Sequence, residues 1–351
     1  MIIFFILLLT LPLFAIKKRT ENSGEILNSY STTCIKGVLC LFVAFHNLGL
    51  DYKGNSQIME LICEHAGGVG VGLFFFLSAF GIIRSYQKKG NNYLLRLIFI
   101  HVLKIYLISV AINLLIYLVY FKGGLTKTDL LLKLFNLDLF NDFNRMNRHG
   151  WYIPTIIAMY LIFALVYFVC SKLKTPNKFI IAGIIVSVIA VGLRITAHIA
   201  DKGGMYTREI TAFATGAIYA TFYDKFNEFF KKYFTPAFII CFIAFWVGFF
   251  LFEPVATHSA ALLIIILSQK ITYESKVTFF LGKICLGVYL FLYFSTLTLQ
   301  TFVNNPYLWM LLNTAFILEL SVILYGITYF IESIIKKAVA RFKANNVLSS
   351  K

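Results

Sequence analysis

Apolar residues run in long uninterrupted blocks along this chain, and polar residues collect between the blocks rather than alternating inside them. A period of two would mark half-buried strands, and a period of 3.6 would mark helices wetted on one face. Blocks that are apolar on every face instead predict helices crossing a bilayer, where the backbone must satisfy its own hydrogen bonds. Eleven candidate spans follow, at 2–16, 34–50, 67–83, 96–121, 151–170, 178–198, 208–223, 234–252, 255–269, 279–302 and 307–331. The shortest of them are 2–16, 208–223 and 255–269.

The predicted fold class is therefore all-α, a polytopic integral membrane protein with about 10–11 transmembrane helices. Residues 1–33 form an N-terminal transmembrane helix and a cytoplasmic loop, 34–335 the main transmembrane domain, and 336–351 a basic cytoplasmic tail. In the first block, "MIIFFILLLTLPLFAIKKR", positive charge follows the apolar stretch. A signal peptide carries that charge in front, so the block reads as a retained span with its N-terminus outside. The longest outside loop, 122–150, contains "DLLLKLFNLDLF", which predicts an interfacial helix.

Composition agrees with the pattern, at 59% hydrophobic and 14% charged residues with 37 Phe. The net charge of +16 raises nucleic acid as a partner, but its placement argues against one. Lys and Arg sit in short clusters between apolar blocks, such as Lys17-Lys18-Arg19, Lys88-Lys89 and Lys231-Lys232. Of the 32 Lys and Arg, 20 lie in segments that alternation places inside and 8 in segments placed outside. That bias sets an outside N-terminus and a cytoplasmic C-terminus. The six cysteines are scattered without metal-ligand spacing, and no metal or tightly bound cofactor is expected.

Candidate chemistry lies in polar residues within the blocks, because a charge in the bilayer is costly and marks function or pairing. Lys36, His46, His101, Lys104, Arg194, His198, Lys283 and Glu319 are such residues. Lys104 and Lys283 are placed to snorkel, and Glu319 to neutralise a cation. "KGVLCLFVAFH" sets Lys36 near the cytoplasmic mouth of its span and His46 about 15 Å further out. Imidazole suits proton removal from a hydroxyl near neutral pH, and an ammonium suits phosphate. Ser78 and Arg84 lie on the next span, "GGVGVGLFFFLSAFGIIRSY", whose glycines read as close helix packing rather than a dinucleotide fingerprint. Arg96 follows in "YLLRLIFIHVLKIY".

Taken in order, these segments resemble the membrane-bound acyltransferase-3 family. "KGVLCLFVAFH", "GLFFFLSAFG", "YLLRLIFIHVLKIY", "HGWYIP", "REITAFATGAIYA" and "FLGKICLGVYLFLY" are similar to its pattern over about residues 30–335. The resemblance implies transfer of an acyl group, usually acetyl, from cytoplasmic acyl-coenzyme A to a hydroxyl of a carbohydrate or lipid-linked glycan. Acetyl-CoA or another acyl-CoA would be co-substrate, and membrane lipid the surrounding partner. It implies His46 as catalytic residue, with Lys36, Arg84 and Arg96 facing the coenzyme's phosphates. Its motifs also mark Ser78, His149, Trp151, Arg208 and Tyr289. A multi-pass protein of the bacterial plasma membrane is expected. A transporter or flippase, or a polymerase for an envelope glycan, is the alternative from composition alone.

Three departures from the family pattern stand out. Nine residues, not ten, separate Lys36 from His46, which on a regular helix leaves them about 80° apart. Ala79 stands where the family has glycine. In the late motif, Cys285 and Leu292 replace a serine and a histidine.

Overall fold

The computed structural model describes residues 16–20, 24–51, 57–121, 125–137, 146–202 and 204–349. It is a helical bundle in which eight helices of the described residues are long and apolar enough to cross a membrane. The helices are α1 (Ser29–Asp51), α2 (Gln57–Lys89), α3 (Asn92–Tyr120), α4 (Lys127–Leu134), α5 (Tyr152–Ser171) and α6 (Lys178–Ala200). The short α7 (Thr211–Thr221), the amphipathic α8 (Tyr223–Lys232), and the pair α9 (Phe234–Leu251) and α10 (Glu253–Leu267) come next. The long α11 (Lys276–Leu299) and α12 (Pro306–Ser349) complete it. The expected first span, 2–16, lies outside the described residues apart from Ile16. The helix expected in the 122–150 loop is α4, with Thr126 accepting a hydrogen bond from the Asp129 N–H as its N-cap. α12 runs on through the basic tail as far as Ser349.

Lipid tails are as apolar as leucine, so helices in a bilayer associate through close packing instead of exclusion from water. Glycine supplies that closeness here. A Cβ on Gly37 of α1 would overlap the Thr278 carbonyl of α11, and one on Gly282 of α11 would overlap the Thr33 carbonyl of α1. The same two helices are tied by the Cys34 thiol, which donates to the Ser275 carbonyl at 3.5 Å. They run parallel, beginning at one end of the bundle, called here the proximal end. Against α2, α1 runs antiparallel, with Val43 beside Gly70 and His46 beside Gly67. Gly216 of α7 lies against the Phe76 carbonyl of α2 in the same way.

Two short strands, β1 (Ile16–Lys18) and β2 (Ile271–Tyr273), depart from an all-helical pattern at the proximal end. They pair antiparallel with Ile16 opposite Tyr273, and the Arg19 N–H continues the ladder to the Lys270 carbonyl at 2.8 Å. Sequence pattern offers no sign of them, because three-residue strands carry no period.

One buried polar group between helices is satisfied by its immediate neighbours. Asn313, fully buried on α12, accepts from the Ser295 hydroxyl of α11 at 2.6 Å and donates to the Trp309 carbonyl at 3.0 Å. Replacing Gly37 by valine forces backbone apart at the α1–α11 contact, so the expected cost is at least the about 1–3 kcal/mol of an overpacked core. Gly81→Val is the control, since a Cβ there meets nothing within 4 Å. Thermal unfolding of the detergent-purified protein should fall sharply for the first variant and stay near wild type for the second.

Candidate functional site

A cavity of about 160 Å³ lies between α1, α2, α3, α5 and α11. Each wall is a stripe at helical spacing: Lys36, Cys40 and Val43 from α1, Val71, Phe74 and Ser78 from α2, and Cys285 with Tyr289 from α11. Tyr152 and Tyr160 of α5 and Ile105 of α3 close it. The Tyr289 hydroxyl accepts the Tyr152 N–H at 3.0 Å, and the Tyr152 ring packs edge-on to Phe75 at 4.8 Å. Lys36 is the cation in this lining and stands beside Cys285.

His46 is one turn further along α1 than Val43, on the side facing α2. Its imidazole occupies the space left by the missing Gly67 side chain, where any Cβ would collide with the ring. The helix is α-helical from Ser29 to Asp51 with no bulge, so the nine-residue spacing is not absorbed by an irregularity. Lys36 and His46 therefore occupy different faces of α1. The cavity runs from the lysine to within one helical turn of the histidine.

Gly68, the next residue of α2, receives a second set of polar side chains. A Cβ there would strike the Glu253 carboxylate, and one on Gly72 would meet Thr257 and lie 3.3 Å from Glu209. Arg208 joins the two acids, pairing with Glu253 and, through Nε at 3.1 Å, with Glu209. Glu209 is buried, and Arg194 of α6 adds its field from behind. The run "GGVGVG" thus does more than admit neighbouring backbones. It opens slots along one helix for an imidazole, two carboxylates and a guanidinium.

Sequence had singled out Arg208 of this cluster but neither acid. Glu209 was visible as an acid adjoining an arginine in an apolar block, and Glu253 as a lone acid between two apolar runs. Tyr152 falls within the "HGWYIP" segment without being singled out there, and Tyr160 gave no signal, being one aromatic position among many. The carboxylate that meets Lys104 is Glu332, at 2.6 Å, whereas Glu319 is exposed.

The remaining candidates are dispersed. Arg84 is on the proximal side away from the cavity, stacked 4.1 Å over the Tyr223 ring and hydrogen-bonded to Gln87 and Glu25. Glu25 also accepts from Lys88 at 2.6 Å, and that hydrogen bond holds its carboxyl below the usual range. Arg96 is exposed, immediately before a π-helical turn at Leu97–Val102 within α3. His149 lies edge-on to Tyr293 of α11 at 5.7 Å, and Trp151 flanks Tyr152. The preceding loop is fixed to α11 by the Asn147 amide, which donates to the Leu290 carbonyl at 3.0 Å. Ser78 and Tyr289 are the two of this group inside the cavity.

A family profile described as an acyltransferase domain matches residues 30–332. No curated protein and no solved structure matches the chain.

The Arg208–Glu253 pair predicts non-additive stability. Arg208→Gln takes the guanidinium from both carboxylates, Glu253→Gln leaves Arg208 with Glu209, and the double variant removes the Arg208–Glu253 pair itself. Thermal unfolding should show a coupling of about 0.5–3 kcal/mol. Strictly additive losses would mean that the two groups do not interact.

Proposed function

From its membership of the acyltransferase-3 family, matched over residues 30–332, we propose that this multi-pass membrane protein is an O-acyltransferase. It moves an acyl group, acetyl foremost, from cytoplasmic acyl-CoA to a hydroxyl of an envelope carbohydrate or lipid-linked glycan. The setting is the bacterial plasma membrane, with the proximal end of the bundle in the cytoplasm. One observation carries the reading: a cavity that begins at Lys36 and ends one turn below His46.

In this reading the thioester arm enters past Lys36 and lies along Cys40 and Val43, with its carbonyl directed toward His46. The acceptor hydroxyl approaches from the other side of the imidazole. His46 takes the hydroxyl proton as the oxygen attacks the thioester carbonyl, and the carbon–sulfur bond then breaks. The proton passes from imidazolium to the leaving thiolate, so the histidine ends as it began. An acyl-histidine relay would use the same placement, with the imidazole itself as nucleophile.

The Gly67 slot supports the role of His46 by fixing the ring against backbone, which limits the rotamers it can adopt. A general base held in one position avoids reorganisation at the moment of reaction. The Arg208, Glu209 and Glu253 cluster, one residue along α2, offers acceptors and donors suited to sugar hydroxyls. Arg84 has a structural occupation in this reading, clasping Glu25 and Tyr223, and Lys36 alone of the three expected cations borders the arm's path.

Substituting His46 by alanine is expected to lower transfer of label from radiolabelled acetyl-CoA to membrane glycans by at least about 100-fold. The variant should accumulate and elute like the wild type. Transfer that survives the change would remove His46 from the chemistry. Label appearing on no glycan with the wild type would favour a transporter instead.

A further inference from the structure

A second cleft, of about 360 Å³, opens between α3, α11 and α12 at the proximal end of the bundle. Its lining includes Lys104, Lys283, Tyr325, Tyr329 and Glu332. Lys104 is paired with Glu332 at 2.6 Å, both about one-third exposed. Lys283 stands 5.0 Å over the Phe279 ring. His101, in the π-helical turn, lies within the fields of Arg96, Lys104, Glu332 and Lys36. In the cleft's own lining two cations, Lys104 and Lys283, stand against the carboxylate of Glu332.

The cleft adjoins the central cavity. Leu286 lines both, and the neighbouring residues divide between them: Ile105 and Cys285 face the cavity, Lys104 and Ile284 the cleft. A ligand with a long apolar arm and an anionic head could place the arm in one and the head in the other. The widened turn at Leu97–Val102 re-phases α3 just ahead of Lys104 and Ile105, and so directs successive residues to the two spaces.

We infer that this cleft is a phosphate-binding site that holds the phosphorylated head of the acyl donor, with Lys104 and Lys283 as its cations. The inference rests on the acyl-CoA reading above and assigns the head to residues outside the set expected from sequence. Ammonium groups bind phosphate as point charges, and paired phenols add hydroxyl donors. Glu332 holds Lys104 in place while the cleft is empty and opposes the ligand's charge when it is filled. A phospholipid headgroup offers the same phosphate chemistry. Continuity with the cavity beside His46 favours the donor.

Calorimetry on the purified full-length protein tests this, with coenzyme A as probe and pantetheine, which has the arm without phosphates, as control. Lys104→Gln/Lys283→Gln should weaken coenzyme A binding at least tenfold and leave pantetheine unchanged. Glu332→Gln should shift it the other way, tightening coenzyme A about threefold, an effect that misfolding cannot produce. Coenzyme A binding that is equal in wild type and in all variants overturns the cleft assignment and leaves the acyl-CoA reading intact. A wild type that binds neither probe overturns the acyl-CoA reading and the inference with it. Loss of co-purifying phosphatidylglycerol from the double variant, with coenzyme A binding unchanged, assigns the cleft to lipid and overturns the donor assignment.

Discussion

Backbone contact between α1 and its neighbours is the constraint on which the rest of the bundle depends. In a bilayer, apolar side chains gain little by meeting each other instead of lipid, so a stable interface needs surfaces that approach closely. Gly37 and Gly282 bring α1 and α11 together in parallel, while Gly67 and Gly70 seat α2 against α1 in the opposite direction. With those three helices fixed, the stripe of Lys36, Cys40 and Val43 has nothing to fill the space before it. The central cavity is the gap that remains between two tight contacts, closed by tyrosines of α5 and α11.

Polar chemistry is arranged along the same axis. Cations gather where α1 and α11 begin, and the Arg208 cluster gathers on α2 around Gly68 and Gly72. His46 lies beside that second group, separated from Lys36 by nine residues of regular helix. Burying charge in such a setting is costly, and two groups here meet that cost with an opposite charge. Glu253 and Glu209 share Arg208, and Lys104 has Glu332.

Much of this was legible beforehand, for reasons that differ by feature. The spans were legible because a bilayer demands long apolar blocks, and α1, α5, α6 and α9 fall within a few residues of the expected positions. His46 and Lys36 were legible as polar groups in an apolar run. Glu209, Glu253, Tyr152 and the Lys104–Glu332 pair were not, since each acquires meaning only from a partner far away in the chain. The 80° offset between Lys36 and His46 could be calculated from spacing. That α1 stays regular, and so keeps the offset, required the structure.

The parallel pairing of α1 with α11 also has a consequence in time. Cys34 meets Ser275, and Cys40 meets the Leu281 carbonyl, across 241 residues of sequence. The β1–β2 ribbon joins strands equally remote. During synthesis α1 is therefore inserted long before its principal partner exists. Until α11 emerges, the Gly37 groove and Lys36 must be tolerated by lipid, by α2 or by the insertion machinery. Contacts of such long range close late and slowly. The central cavity is thus among the last features of the molecule to form, and a chain halted before α11 would carry the stripe of Lys36, Cys40 and Val43 without the wall that Cys285 and Tyr289 supply.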